Sequence, residues 1–352
     1  MKKRIRDYGV KIGSLKTGKN NLITDVLGVK VGNLTLKMGD INTGVTAIVP
    51  HDENIFKDKL IAASHVINGF GKSVGTIQIE ELGTLETPIL LTNTLNVGKV
   101  SDALIEYMLR KNEDIGITTG TVNPVVFECN DGYLNRIRER KIGFKEVENC
   151  IKNAKSIFEE GAVGAGTGMS LYGFKGGIGS SSRVIELNEK EYNLGTLVLT
   201  NFGLQKDLVI NGINIGRDIS KDKLEESLDK GSCIIIIATD IPMSYRQLKR
   251  ISKRASVGMA RTGSYIGNGS GEIVIAFSTA NKIRHYEKED FLNIKIINEN
   301  KIDRVFRAVA ESVEESILNA LVRAETLVGR DGNIRYGFIE TLNSLNLNIK
   351  SE

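Results

Sequence analysis

The sequence predicts an α/β protein in which strands form the middle of the fold and helices lie outside them. Short runs rich in β-branched residues alternate with longer segments whose apolar residues recur at helical spacing. The chain has only four prolines in 352 residues, and no low-complexity linker divides it. We therefore expect a single layered domain that covers the whole chain.

Six runs have the composition of β-strands. Their β-branched residues favour extended backbone, and glycine or polar residues mark their ends. These runs are Val29–Leu36, Val45–Val49, Thr76–Glu80, Thr196–Thr200, Cys233–Thr239 and Glu272–Phe277.

Four segments have the apolar periodicity of amphipathic helices. They cover Ser101–Arg110, Lys145–Glu160, about Tyr245–Ala260 and Ile302–Val328. Ser101 and Asp102 can cap the first of them, and a stop signal with two glycines, Gly329 to Gly332, follows the last. The polar tail from about residue 343 to residue 352 is expected to be loose.

Composition argues against nucleic-acid and membrane partners. The chain mixes 47 basic with 43 acidic residues for a net charge of +4, so no broad field of one sign forms. No apolar run approaches the length of a membrane span. The basic N-terminus is not followed by the apolar stretch of a signal peptide.

Cysteine and histidine usage argues against a disulfide framework and a metal site. Three cysteines occur without paired spacing, at Cys129, Cys150 and Cys233. Their odd number favours a reduced, cytoplasmic setting. Three histidines occur far apart, at His51, His65 and His285. They lack the spacing of metal ligands, so we expect neither a metal ion nor a histidine-based triad.

The pair Gly231-Ser232 stands directly before the β-branched run Cys233–Ile237. Glycine lets the backbone turn and lets other groups approach closely, and the run that follows is typical of a buried strand. A serine at the mouth of such a rigid element is well placed to act as a nucleophile. A glycine-serine pair before a strand is more often only a turn, so this interpretation needs support from elsewhere.

A glycine-rich loop further along the chain provides that support. The segment Arg261–Glu272 contains four glycines and leads into the strand-like run Ile273–Phe277. Ser270 and Glu272 are two residues apart, so in extended backbone their side chains project from the same face. A carboxylate, a relay hydroxyl and a distant serine suffice for nucleophilic chemistry without histidine. The alternative is a hairpin with a solvated carboxylate.

Two other glycine-rich segments do not match phosphate-binding motifs. Gly161–Gly179 contains eight glycines, but Leu171 stands where the last glycine of GxGxxG is required. Gly69–Ser73 resembles the end of a P-loop, yet Val66 replaces its first glycine. We interpret Gly161–Gly179 as tight turns, where the backbone approaches a ligand or another chain or has a purely structural role.

Short motifs are spread along nearly the whole chain, from about Asn21 to about Gly332. They are Glu128-Cys129-Asn130-Asp131-Gly132, the glycine-rich block, Thr200-Asn201-Phe202-Gly203, Gly231-Ser232, Ala238-Thr239-Asp240, Ala260-Arg261-Thr262-Gly263-Ser264, Asn268-Gly269-Ser270-Gly271-Glu272 and Gly329-Arg330-Asp331-Gly332. In this order they resemble the DmpA-like family of self-cleaving serine aminopeptidases, which comprises L-aminopeptidase/D-esterases and β-aminopeptidases.

The resemblance implies an N-terminal-nucleophile-like αββα sandwich that cuts itself after Gly231. The large chain, residues 1–231, and the small chain, residues 232–352, would stay together, commonly in a homotetramer of such pairs. The implied activity is a serine aminopeptidase and amidase-esterase. Its substrates would be small peptides, amides or esters with a free amine, and no cofactor is implied.

The resemblance also assigns roles to residues that match its motifs. Ser232 would be the nucleophile, first for self-cleavage and then, as a new N-terminus, for acyl transfer from substrate. A free α-amine has a pKa of about 7.7 to 8.0, close enough to neutrality to accept the hydroxyl proton. Ser270 and Glu272 would orient or relay that proton, and Asn201 would stabilise the oxyanion.

Glu128 is the candidate for binding the free amine of the substrate, because a carboxylate that faces a cation is favourable. Asn130 and Tyr133 follow it closely and are candidates for lining the same pocket. The sequence leaves L-, D- and β-amino residues open as the residue released.

Two other functions stay open at this point. Acyltransferases of the ornithine acetyltransferase type have the same fold but expose a threonine, whereas this chain has Ser232. Alternatively, the chain stays uncut and serves as a non-enzymatic assembly module.

Overall fold

Strands and helices alternate along the computed structural model, which describes residues 2–220 and 231–349. The strands are β1 (Lys30–Met38), β2 (Ile41–Val49), β3 (Asp58–Gly69), β4 (Thr84–Leu85), β5 (Ile89–Asn93), β6 (Val125–Cys129), β7 (Ser170–Leu171), β8 (Phe174–Lys175), β9 (Ile178–Leu187), β10 (Lys190–Asn201), β11 (Ser232–Thr239), β12 (Gly271–Arg284), β13 (Leu327–Val328) and β14 (Ile334–Arg335). The helices are α1 (Thr76–Leu82), α2 (Val97–Lys111), α3 (Phe144–Lys152), α4 (Ile215–Ile219), α5 (Tyr245–Ser252), α6 (Ala255–Arg261), α7 (Asp303–Val322) and α8 (Phe338–Ser344).

Two sheets form the centre of the molecule. The first sheet has the order β1-β2-β5-β6, with a parallel pair at β5 and β6. The second sheet has the order β4-β3-β12-β11-β10-β9, in which β11 and β12 run parallel and the other pairs antiparallel. Because parallel strands begin at the same edge, Gly231-Ser232 and the Ser270 loop meet there.

The apolar residues form two cores, which fill the spaces between four layers of helices and strands. The inner core lies between the two sheets and under α2 and α3, and the outer core lies between the second sheet and α5, α6 and α7. Ile234 and Ile236 belong to the inner core, whereas Ile235 and Ile237 belong to the outer one. This alternation explains the unbroken isoleucine run of β11, which is buried on both faces. The layers follow the expected αββα order.

A glycine in β9 allows α7 to lie directly on the second sheet. A side-chain carbon at Gly179 would lie 1.9 Å from the carbonyl oxygen of Ser316 and 2.6 Å from the main-chain nitrogen of Ala320. Nearby, Ser181 Oγ donates to the carbonyl oxygen of Ser312 at 2.7 Å. Small residues on β9 therefore let a strand and a helix approach to main-chain contact.

The strand predicted at Thr76–Glu80 is wrong, while the other predicted strands are confirmed. The segment is the helix α1, bracketed by Gly75 at φ 95° and Gly83 at φ 65°. Both glycines adopt the left-handed conformation that favours glycine at helix ends. Ile79 is buried and Ile77 is 85% exposed. Two apolar residues in so short a segment do not distinguish the 3.6-residue period of a helix from the two-residue period of a strand.

Helix boundaries differ from the sequence prediction at several places. α2 begins at Val97, before Ser101, and Asn93 caps the preceding turn by accepting the N–H of Asn96 at 3.1 Å. α3 ends at Lys152 and not at residue 160, because main-chain hydrogen bonds pair residue 155 with Val31 of β1.

The C-terminal half has shorter helices than predicted. The segment from about residue 245 to residue 260 forms two helices, α5 and α6, that are separated at Lys253 and Arg254. α7 ends at Val322. Part of the tail predicted to be loose, residues 343–349, begins inside α8, and its Leu347 and Ile349 pack against the outer core. The rest of that prediction, residues 350–352, lies outside the described residues. Within residues 2–220 and 231–349, no helix has the length and apolarity needed to cross a membrane.

Gly179→Ala is expected to lower the free energy of unfolding by about 1 to 3 kcal/mol, because the methyl group would displace main-chain atoms of α7. Gly98→Ala in α2 is the matched control, since its methyl group would meet no described atom within 4 Å. That variant should gain about 0.5 to 1 kcal/mol. Urea unfolding measures both changes. A Gly179→Ala protein as stable as the wild type would contradict the packing.

Candidate active site

Ser232, the first residue of β11, lies between two neighbouring strands of the second sheet. It pairs with Asn201, the last residue of β10, and with Gly271, the first residue of β12. Neighbouring strands are about 4.8 Å apart. Only 7% of Ser232 is exposed. The structure thus brings together segments that are far apart in sequence and that sequence analysis had selected separately.

The strand register determines on which face of the sheet each side chain lies. Residues paired across a sheet share a face, so Ser232 and Asn201 project from the same side, towards the inner core that contains Ile234. Glu272 pairs with Cys233, which belongs to the outer core. The register therefore places Glu272 on the opposite face from the Ser232 hydroxyl, next to the main chain of β11.

Ser270 and Glu272 form a buried pair. Both are completely buried, and Ser270 Oγ donates a hydrogen bond to Glu272 Oε1, as the two-residue spacing predicts. Asn68 of β3 anchors the loop that carries them, because its Nδ2 donates to the carbonyl oxygens of Gly267, at 3.1 Å, and of Ser270. The position of the carboxylate is thus determined by the protein interior.

Gly231 combines a tight fit with a polarised carbonyl group. A side-chain carbon there would lie 2.1 Å from the carbonyl oxygen of Asn201 and 2.3 Å from Cα of Phe202, so only glycine fits. The carbonyl oxygen of Gly231 accepts a hydrogen bond from Gly271 N at 3.1 Å. A donor at this oxygen stabilises negative charge that develops there during attack on the carbonyl carbon.

Asn201 has a defined amide orientation. Its Oδ1 accepts the main-chain N–H of Ser170 at 2.9 Å. A main-chain N–H can only donate, so the amide oxygen must face Ser170 and the Nδ2 group must face away from it. The orientation presents an N–H donor from the same face as Ser232. Ser170 lies in the glycine-rich block, so this block provides the contact that orients the Asn201 amide.

Glu128, in β6, is 3% exposed and lies near the start of β12. Its Oε1 accepts the main-chain N–H of Lys72 at 2.9 Å, and its Oε2 accepts the hydroxyl of Thr94. A side-chain carbon at Gly71 would lie 3.8 Å from Glu128 Oε1 and 3.8 Å from Cα of the first β12 residue. Glu128 and the residue that pairs with the serine therefore both lie beside Gly71.

The loop after β6 is anchored by Asp131. Burial raises the pKa of Asp131 to about 6, against the effect of hydrogen bonds from Thr43, at 2.6 Å, and Asn135, at 2.9 Å. Asn130 is exposed, and its Oδ1 closes a turn by accepting the N–H of Gly132 at 2.9 Å. The described contacts of Asn130 thus shape the loop.

Tyr133 is linked to Asn201 indirectly, through Arg335 and Ser170. Its ring, 41% exposed, lies 3.7 Å from the guanidinium carbon of Arg335. Arg335 Nε in turn donates to Ser170 Oγ at 3.1 Å. Neither Ser170 nor Arg335 was selected from the sequence, because both enter the site through long-range contacts that no local pattern encodes.

Two cysteines lie next to these residues, but neither suits a nucleophile. Burial raises the pKa of both Cys129 and Cys233 well above its usual value. Nearby carboxylates add to this effect, first Glu128 and then Glu272 at Cys129, and Glu272 at Cys233. Thiols with such pKa values stay protonated at neutral pH, whereas the thiolate is the reactive form.

In the described part of the chain, no group of three His, Cys, Asp or Glu residues is placed to bind a metal ion.

The four-layered fold and the serine at the head of a central strand define a serine hydrolase of the N-terminal-nucleophile class. Residues 21–335 match the model of Peptidase family S58, and the chain belongs to that family.

The chain is similar over nearly its whole length to known proteins. It is 36% identical over 353 residues to the beta-peptidyl aminopeptidase BapA of Sphingosinicella microcystinivorans. This alignment covers 94% of this chain and 88% of that protein. The PH0078 protein from Pyrococcus horikoshii OT3 is 52% identical, with a TM-score of 0.92 and coverage of 98% of this chain and 99% of that one.

A second solved structure has a described activity. The L-aminopeptidase D-Ala-esterase/amidase of Ochrobactrum anthropi is 34% identical, with a TM-score of 0.89 and coverage of 97% of this chain and 99% of that one. That protein is described as a prototype for the serine aminopeptidases and a variant of the Ntn hydrolase fold. These comparisons confirm the predicted family and the αββα fold. They also confirm the predicted activity class, a hydrolase that acts as an aminopeptidase and amidase.

Glu272→Gln is expected to lower kcat by about 100-fold or more. A neutral amide cannot orient the α-amine that the family resemblance assigns to Ser232 by a charge-assisted hydrogen bond, as the carboxylate can. Thermal unfolding should change little, since glutamine keeps the size and an oxygen acceptor for Ser270. The rate is measured per cleaved chain on an aminoacyl p-nitroanilide.

The matched control is Glu86→Gln, which alters a buried carboxylate that pairs with Lys59 at 2.6 Å. It should cost stability and leave kcat unchanged. Parallel losses of stability and kcat in Glu272→Gln would assign that residue a purely structural role.

Proposed function

We propose that this chain is an aminopeptidase and amidase-esterase that matures by cutting itself between Gly231 and Ser232 and then uses Ser232 as its nucleophile. The observation that carries the proposal is the pairing of Ser232 with both Asn201 and Gly271 at one edge of the second sheet. This arrangement supplies an oxyanion donor on one side and the Ser270 loop on the other.

The cut begins with attack of the Ser232 hydroxyl on the carbonyl carbon of Gly231. The acyl group moves from nitrogen to oxygen, and water then hydrolyses the ester. The products are a carboxylate on Gly231 and a free α-amine on Ser232. The hydrogen bond from Gly271 N, at 3.1 Å, points at the carbonyl oxygen on which negative charge develops.

The large and small chains should stay associated after the cut. β11 is buried along its whole length and lies between β10 and β12 in the second sheet. Separating the chains would expose its apolar residues and leave its main-chain hydrogen-bonding groups unsatisfied. The cut changes only the start of the strand.

During turnover, the new α-amine of Ser232 accepts the proton of its own hydroxyl as that hydroxyl attacks the substrate carbonyl. Ser270 and Glu272 lie next to the main chain from which this amine is released, so we assign them the role of orienting it. The hydroxyl projects from the opposite face, where Asn201 Nδ2 can donate to the oxyanion. The bond from the carbonyl carbon to the leaving amine or alcohol then breaks, and the protonated α-amine gives its proton to that leaving group. Water hydrolyses the resulting acyl ester of Ser232 to release the acid and restore the hydroxyl.

Glu128 is proposed to bind the free amine of the substrate. Hydrogen bonds from Lys72 N and Thr94 Oγ1 stabilise its carboxylate, as a buried anion requires. The similar proteins are named for β-peptide, L-amino acid and D-Ala substrates. We propose small peptides, amides and esters of such residues as the substrates of this chain.

The proposal includes a homotetramer of cleaved pairs and a cytoplasmic location. The cysteines of the chain are free and buried, which suits a reducing compartment.

Ser232→Ala is expected to abolish both the cut and the activity, because alanine lacks the hydroxyl that attacks the carbonyl carbon of Gly231 in the proposed mechanism. Intact-mass measurement on the wild type should find two fragments, residues 1–231 and 232–352, that co-purify. The control Ser256→Ala removes an exposed hydroxyl that bonds only Lys253 among the described residues, and it should cut normally. A single full-length wild-type species with full activity would refute the mechanism.

Glu128→Gln should cut itself normally, since the precursor presents no substrate amine, yet lose about tenfold or more in kcat/KM on substrates with a free amine. Kinetics on an aminoacyl p-nitroanilide and its N-acetylated form check this. Equal rates of the wild type on the two forms would exclude amine recognition by Glu128.

A further inference from the structure

A cation lies close to Asn201 and is not used by the reaction described above. Arg335, in β14, is partly buried, and its Nε donates to Ser170 Oγ at 3.1 Å. Its guanidinium stacks on the ring of Tyr133, with 3.7 Å between the guanidinium carbon and the ring centre. The hydrogen bond from Lys175 N to the carbonyl oxygen of Tyr336, at 2.8 Å, anchors the next residue. The head group is therefore positioned by contacts on several sides.

Arg335 differs from its neighbours in having no counter-charge within the described residues. Arg330 and Arg136 both form ion pairs with Asp331, at 2.7 Å and 3.6 Å, and Arg136 also pairs with Asp40 at 2.8 Å. Arg335 instead donates to a hydroxyl and, at 3.4 Å, to a carbonyl oxygen of its own strand. A stacked guanidinium keeps its planar fork in one orientation and suits a carboxylate.

One residue, Ser170, connects the guanidinium with the proposed oxyanion donor. Its N–H donates to Asn201 Oδ1 at 2.9 Å, and its Oγ accepts from Arg335 Nε at 3.1 Å. With Asn201 as the oxyanion donor, this link places a cation beside the proposed site. The free amine of the substrate is assigned to Glu128, so the residue after the scissile bond is the part of the substrate that can present a carboxylate to Arg335.

We propose that Arg335 binds a carboxylate of the residue that follows the scissile bond, and so favours dipeptides over amides of the same amino acid. This inference rests on the function proposed above, because it takes Asn201 as the oxyanion donor. The carboxylate belongs either to the C-terminus of a dipeptide or to an acidic side chain. Tyr133 is the platform for the guanidinium.

The test compares three substrates that share one N-terminal residue: a dipeptide ending in alanine, its C-terminal amide, and a dipeptide amide with aspartate in second place. For the wild type, kcat/KM on the free acid should exceed that on the alanine amide by about tenfold or more. A high value on the aspartate amide would place the recognised carboxylate on a side chain. Equal values on all three would overturn the inference.

Two variants of Arg335 separate charge recognition from positioning. Arg335→Gln keeps an N–H donor for Ser170 but removes the charge. The ratio of kcat/KM on the free acid to kcat/KM on the alanine amide should therefore fall to nearly one. Arg335→Lys keeps a charge and should retain part of the preference. The control Arg136→Met removes a nearby cation that already has carboxylate partners, and its substrate preference should equal that of the wild type.

Two further outcomes are distinguishable. If Arg335→Gln slows the free acid, the amide and a p-nitroanilide by one common factor, Arg335 acts only through Ser170 and Asn201, and carboxylate binding is overturned. If the wild type hydrolyses none of these substrates and stays uncut, the proposed function fails, and this inference fails with it.

Discussion

The parallel pairing of β11 with β12 is the constraint on which the rest of the site depends. Parallel strands begin at the same edge of a sheet, so Ser232 starts beside Gly271 although the two residues are far apart in sequence. An antiparallel pair would have brought Ser232 next to the opposite end of β12. The same pairing provides the N–H of Gly271 to the carbonyl oxygen of Gly231.

The sheet also separates the chemical groups by face. Ser232 and Asn201 project towards the inner core, whereas Glu272 shares its face with Cys233 and the outer core. A serine at a free strand start has two reactive groups, a hydroxyl on its side chain and an amine on its main chain. In the proposed mechanism, one face therefore binds the substrate carbonyl group while the other orients the amine of Ser232.

Precise positions in the site come from interactions between layers. Asn68 of β3 secures the loop that carries Ser270, and Ser170 orients the amide of Asn201. Glu128 reaches the site from the first sheet, across the inner core. These contacts join both sheets to the loops at one edge, so the geometry of the site depends on the whole sandwich. This dependence is consistent with a likeness to known aminopeptidases that extends over nearly the entire chain.

Local patterns in the sequence predicted the layered fold class, most strands, the Gly231-Ser232 pair and the shared face of Ser270 and Glu272. These properties follow from local period, turn residues and spacing, which neighbours in sequence encode. The three-dimensional structure was needed to show that the glycine-bracketed α1 is a helix and that Ser170 bonds Asn201 and in turn accepts a hydrogen bond from Arg335. Such contacts join residues far apart in the chain, and their energy depends on packing that no local pattern specifies.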